Sequence, residues 1–237
     1  VDGLTVCIVD INEKALARLD EEGDHADGRL EWRRASVLDR EEMEGVMYDV
    51  AGRHGSLDVL VNNAGMTRPG TLLTQTDEDW DLVVDTNLKG PFICSSIAAS
   101  HMKAAGGGAI VNIGSVSAHG IRSGPPAYAA AKAGLEGLTR NAAIEFGRDG
   151  IRVNLIVLGT IEPEWLLQRK AAEELAEIRS STLMGRLGTP EDVASVVSFL
   201  VSEGARHVTG QLFSVSGGQW LPGARPSEHA NERLERR

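Results

Sequence analysis

The chain is poor in cysteine. Its 237 residues include only Cys7 and Cys94, each inside an apolar run, so the expected state is two buried free thiols in a reducing compartment. Six histidines show no ligand spacing with one another or with cysteine, and no metal site is expected. No apolar run approaches a membrane span and no signal peptide opens the sequence, which makes a cytoplasmic protein the expectation and gives the membrane no part. Basic blocks are missing too. With 24 Lys+Arg against 34 Asp+Glu the net charge is −10, which argues against nucleic acid or an anionic lipid surface as the main partner. There is no internal repeat and no low-complexity block. What remains is ordinary globular composition, 42% hydrophobic and 24% charged, on a chain long enough for one large domain with a sizeable core. That domain is expected over residues 1–221, with residues 222–237 as a polar, mobile tail.

Apolar runs at Leu4–Val9, Leu57–Val61, Ala109–Ile113 and Ile151–Val157 read as buried parallel strands, joined by a short strand around Leu30 and Trp32 and a last one over Gln211–Val215. Between them lie helical signals. Asn12 can cap a helix ending near Gly23. Asp39 starts another, with Glu42 as capping-box partner and Met43, Val46, Met47 and Val50 as its apolar stripe. Thr76 and Asp79 open a third, with Asn87 near its middle and Gly90-Pro91 expected to bend or break it. Later helices are predicted over about 127–146 and 164–178, and from Thr189-Pro190 to about Val201. Strands alternating with helices call for an α/β fold: a parallel sheet with helices on both faces, wound right-handed.

One stretch carries chemistry. Ser115 leaves the end of a strand, a loop with Gly120, Gly124, Pro125 and Pro126 follows, and an alanine-rich helix then presents Tyr128 and Lys132 one turn apart on one face. An ammonium beside a phenol favours phenolate, which is expected to lower the tyrosine pKa. A serine across the loop could hold a carbonyl oxygen. Taken alone, a Tyr and a Lys at this spacing occur on many helices by chance.

The company of that pair changes its weight. Asn62-Asn63-Ala64-Gly65, Asn87, Ser115, Tyr128-x-x-x-Lys132, Gly185-Arg186-Leu187-Gly188-Thr189-Pro190-Glu191-Asp192 and Ser216-Gly217-Gly218 occur in this order. The chain resembles the short-chain dehydrogenase/reductase family over Leu4 to Gly218, in its bacterial form. The resemblance implies a Rossmann-like fold and hydride transfer between a nicotinamide cofactor and an alcohol or carbonyl. By position, Tyr128 would be the general acid/base, Lys132 would tune it and hold the nicotinamide ribose, Ser115 would bond the substrate oxygen, and Asn87 would keep a water in the proton relay. Asp10 would bond the adenine ribose and so prefer NAD over NADP. Ser36 stands where the family often has an acid, with Val37 lining the adenine. Asn63, Ala64 and Gly65 would line the ribose, and Ile161 would meet the carboxamide. Leu158-Gly159 replaces the usual Pro-Gly beside the nicotinamide. Ser117, His119, Met66 and Trp165 are candidates for the substrate pocket. A homo-oligomer, tetramer or dimer, would be typical.

The family opens with a strand, a glycine-rich turn and a helix, about 20 residues before the ribose-binding acid. Counting back from Asp10 runs off the start of the sequence. The first strand normally lies between the second and fourth, so Leu4–Asp10 and Leu57–Val61 are each expected to lack a neighbour, and the pyrophosphate-binding amides with them. A gene fragment, a sheet closed by pairing the two bare strands, and a degenerate relative without cofactor are the alternatives. For function they leave open an NAD(H)-dependent enzyme acting on a secondary alcohol or ketone, a non-catalytic Rossmann-like subunit, and a 3-oxoacyl-carrier-protein reductase.

Overall fold

The computed structural model describes residues 3–21, 29–120, 124–162, 179–219 and 221. The helix expected over 164–178, Trp165 and the tail over 222–237 lie outside them. Strands and helices alternate: β1 (Val6–Asp10), α1 (Glu13–Glu21), β2 (Leu30–Arg34), α2 (Arg40–His54), β3 (Val59–Asn62), α3 (Asp77–Val84), α4 (Gly90–Ala105), β4 (Gly108–Ser115), α5 (Pro126–Phe146), β5 (Ile151–Leu158), α6 (Pro190–Val201) and β6 (Leu212–Val215). All strand pairs are parallel. Strands β4 and β5 are apolar on both faces because helices cover both. Ile110 and Val153 pack with α4 and α5, whereas Val111, Ile113 and Ile156 pack with Leu200 of α6. No helix of the described residues is long and apolar enough to cross a membrane.

Helix starts follow the expected caps. Asn12 Oδ1 accepts from the Ala15 amide, Thr76 Oγ1 from that of Asp79, and Thr189 with Asp192 closes a full capping box on α6. At α2 the box is only half formed. Asp39 Oδ1 accepts from the Glu42 amide at 3.0 Å, but the Asp39 amide is already bonded to the Ser36 carbonyl. Glu42 therefore reaches past it and accepts from the Ser36 amide at 2.8 Å.

Gly90-Pro91 does not break its helix. Proline lacks an N–H and its ring crowds the carbonyl one turn back. The chain answers by widening into a π-helical segment, Asp85–Lys89, closed by the Gly90 amide on the Asp85 carbonyl, before α4 continues. Asn87 sits inside this widened turn, fully buried.

The described strands form two sheets, β1-β2 and β3-β4-β5-β6. No ladder joins β1 to β3, so closure by pairing those two strands is not what the chain does. Val6 of β1 and Val61 of β3 are exposed. Helices bridge the two sheets instead: Ala35 after β2, Met43 and Met47 of α2, and Ile93 and Ile97 of α4 share one apolar cluster with Val9 and Val37. The approach is close enough that a Cβ on Gly90 would lie 2.8 Å from Val37 Cγ2. Along β2, Glu31 gathers Arg53, Arg33 and His54, which gives that strand a charged surface unfavourable to pairing with another chain.

A buried polar ladder fixes the larger sheet to its helices. Asn62 Nδ2 donates to Asn112 Oδ1 at 2.8 Å and Ser95 Oγ at 3.0 Å, and Asn112 Nδ2 donates to Thr139 Oγ1 at 2.9 Å. Truncating the central member would strand donors on one side and an acceptor on the other. Asn112→Ala should lower the unfolding free energy by about 2 kcal/mol or more in urea titration.

Candidate active site

Strand β4 and helix α5 build the centre of the site. β4 ends at Ser115, whose Oγ accepts from the Ser117 amide and caps a 3-10 turn, Val116–His119. α5 begins at Pro126, with the Ala127 amide held by Gln75 Oε1 at 3.0 Å, and so sets Tyr128 in its first turn. The Ser115 side chain stands near enough to the Tyr128 phenol to favour its ionised form. One turn on, Lys132 is only 4% exposed; its Nζ donates to the Ile113 carbonyl at 2.7 Å and lies 5.7 Å from the centre of the Tyr128 ring.

Asn87 completes the group. Its Nδ2 donates to the carbonyls of Met66 (2.7 Å) and Val83 (2.8 Å). Its Oδ1 is buried with no hydrogen-bond partner among the described protein groups. Gly65 lies against both this oxygen and the lysine: a Cβ there would stand 2.9 Å from Asn87 Oδ1 and 3.7 Å from Lys132 Nζ. Asn87, Ser115, Tyr128 and Lys132 are thus brought together around the end of β4, with the Gly65 backbone approaching Asn87 so closely that a side chain there would clash.

Burial governs their protonation. It pushes the Tyr128 phenol above its usual value, while the Ser115 side chain pulls it back. It pushes Lys132 down to about 8. This corrects the expectation that the ammonium lowers the phenol's pKa: Lys132 is spent on a carbonyl, and desolvation is the larger effect on both groups.

The residues expected around a dinucleotide lie in two places. At the first, Asp10 ends β1 with Oδ1 accepting from the Asn12 amide, in register with Arg34 of β2. A shallow pocket beside it is lined by Ile11, Arg34, Ser36, Leu38 and Glu42. Ser36 is present there, but Val37 turns inward against Gly90 and the core, and Leu38 takes the lining position. At the second, Asn63 and Ala64 are exposed after β3 and Gly65 faces Asn87, while Ile161 forms an isolated parallel bridge with Gly188. Asp10 and Ser36 touch none of the four central residues in the described contacts.

Three further placements bear on the site. Ser117 is half-buried, with its Oγ near Gly124. His119 is turned onto Glu136 of α5. Leu158-Gly159 is held without a proline: the Gly159 amide donates to the Val215 carbonyl and the Thr160 amide to Gln219 Oε1 at 2.8 Å. Sequence reasoning passed over Gln75, Glu136 and Gln219. Only Glu136 carried a signal, lying four residues after Lys132 on the same stripe of α5.

The family model described as enoyl-(acyl carrier protein) reductase matches residues 1–219. The chain is 38% identical over 218 residues to a 3-oxoacyl-[acyl-carrier-protein] reductase of Thermotoga maritima, covering 92% of this chain and 88% of that protein. It is 37% identical over 219 residues to cis-4-hydroxycyclohexanecarboxylate dehydrogenase of Sinomonas cyclohexanicum, covering 91% and 86%. Among solved structures, a short-chain dehydrogenase/reductase of Burkholderia xenovorans superposes with a TM-score of 0.84 at 32% identity, covering 92% of this chain and 85% of that one.

The buried lysine has a consequence for stability. Its folded pKa of about 8 lies below the usual 10.5, so between these values the unfolded chain binds more protons and folding gains as pH rises. Compared by urea unfolding, the stability of wild type relative to Lys132→Met should therefore rise from pH 8 towards 10.5, and level off below 8.

Proposed function

The chain belongs to the short-chain dehydrogenase/reductase family, and from that premise we propose that it is an NAD(H)-dependent oxidoreductase interconverting a secondary alcohol and a ketone. The observation that carries this reading is the convergence of Tyr128, Ser115, Lys132 and Asn87, with the Gly65 backbone close against Asn87 and Lys132. A bound nicotinamide would supply the hydride acceptor for oxidation and the donor for reduction.

The chain's own groups manage the proton and the oxygen. The Ser115 hydroxyl stands near the Tyr128 phenol, so both can reach one substrate oxygen. In oxidation the Tyr128 oxygen takes the hydroxyl proton; in reduction it returns one to the forming alkoxide. Ser115 holds the same oxygen in place. Lys132, 5.7 Å from the Tyr128 ring centre, would hold the nicotinamide ribose, and Asn87 Oδ1 offers an acceptor for a water behind it. Asn63, Ala64, Gly65 and Ile161 would hold the nicotinamide half, with Asp10, Ser36 and Leu38 at the adenosine. The Asp10 carboxylate at the end of β1 favours a ribose hydroxyl over a phosphate, hence NAD.

The names of the Thermotoga relative and of the matching family model favour a second substrate class, a carrier-protein-bound acyl chain, handled by the same four residues. The open edges of β1 and β3 favour a different reading, a non-catalytic subunit acting by association. Cytoplasmic location and a homo-oligomeric state, tetramer or dimer, complete the proposal.

NADH titrated into the protein should quench tryptophan fluorescence saturably, and more tightly than NADPH. Tyr128→Phe should keep that binding and lose at least about 100-fold in turnover of ketones or 3-oxoacyl thioesters. Absence of binding by either nucleotide would favour the non-catalytic reading.

A further inference from the structure

Helix α5 carries a third ionisable residue on the stripe of Tyr128 and Lys132. Glu136, one turn beyond the lysine, is 7% exposed, yet it is a carboxylate. Its Oε1 lies 2.5 Å from His119 Nε2, and its Oε2 lies 3.8 Å from an Arg140 nitrogen at the surface. His119 is the last residue of the 3-10 turn that starts on Ser115. This turn holds itself weakly: it is a single short turn, and its closing bond, from the Gly120 amide to the Ser117 carbonyl, is 3.4 Å long. At its start it hangs on Ser115 Oγ through the Ser117 amide. Val116 at its start packs with Leu135 of α5, and at its end His119 is bonded to Glu136.

We propose that Glu136 and His119 are positioning residues, whose hydrogen bond pins the turn against α5 and so sets the Ser115 hydroxyl beside the Tyr128 phenol. The proposal rests on the reading of Ser115 and Tyr128 as the hydroxyl pair of the site. Stability alone is a poor reason for the arrangement. Taking a carboxylate out of water is costly, and an apolar pair of similar volume would serve the core as well or better. A bond of fixed length and direction does what an apolar contact cannot. It sets the distance between the helix bearing the acid/base and the turn bearing its partner. His119 was a candidate substrate contact; its Nε2 is instead engaged on the helix. Either charge state of the imidazole can donate from that nitrogen, so the anchor does not require protonation.

The chain has two tyrosines, Tyr48 and Tyr128. In a Tyr48→Phe background, 13Cζ-tyrosine NMR follows the ionisation of Tyr128 alone, without substrate or cofactor, with circular dichroism recording the fold at each pH. Ser115→Ala should raise the midpoint, since the hydroxyl that pulls it down is gone. Glu136→Ala and His119→Ala should each raise it by at least half of that displacement, and the double variant no further than the larger single one. Glu136→Gln keeps the acceptor oxygen and should restore the wild-type midpoint. Should Glu136→Ala fail to fold, His119→Ala with its His119→Gln rescue carries the same comparison. Unchanged midpoints in Glu136→Ala and His119→Ala, with Ser115→Ala displaced, would overturn the proposal. A fall in both Glu136→Ala and Glu136→Gln would also overturn it, because Glu136 would then act through its charge. A Ser115→Ala midpoint equal to wild type would remove the hydroxyl-pair reading and the inference with it.

Discussion

The Lys132 ammonium donates to the Ile113 carbonyl across 2.7 Å of protein interior. A lysine this deeply buried needs a fixed acceptor, and the acceptor is a backbone oxygen near the end of β4, two residues before Ser115. The bond therefore fixes α5 against β4, and with them the phenol against the hydroxyl. The ladder of Asn62, Asn112 and Thr139 repeats the same tie deeper in the sheet and extends it to β3, so that the turn with Gly65 arrives beside the lysine. The π-helical widening ahead of Pro91 brings in Asn87. Each of these devices spends polar groups inside the protein, and each acts on the relative position of two elements rather than on the size of the core.

The other half of the architecture is held differently. β1 and β2 make a separate parallel pair, attached through α2 and α4 and the contact of Val37 on Gly90. Apolar packing resists shear less specifically than buried hydrogen bonds. The residues that would meet the adenosine thus stand on a unit joined by side-chain packing, whereas those that would move the proton stand on one joined by polar ladders.

Much of this was legible in the residues. The four strands with continuous apolar runs were visible, as were the caps at Asn12, Thr76 and Thr189, because both depend on local rules. Ser115, Tyr128, Lys132 and Asn87 could be named from motif order, and the structure brings them together. What could not be read depends on competition between neighbours. Glu42 has capping-box spacing, but the Asp39 amide it would take is already bonded to Ser36. Val37 could line a pocket or fill the core, and the missing Cβ of Gly90 decides for the core. The direction of the tyrosine's pKa depended on desolvation, which spacing along a helix does not reveal. Glu136 and Gln219 carry no motif, and their partners lie 17 and 59 residues away in sequence.

On the proposed function, Asn87, Ser115, Tyr128 and Lys132 border the reacting half of a bound nicotinamide cofactor. A crystal structure of the protein soaked with NADH decides whether they do. The expected result is a nicotinamide ribose bonded by Lys132 and Tyr128, with its carboxamide near Ile161. A nucleotide bound away from Lys132 and Tyr128 would be the opposite result.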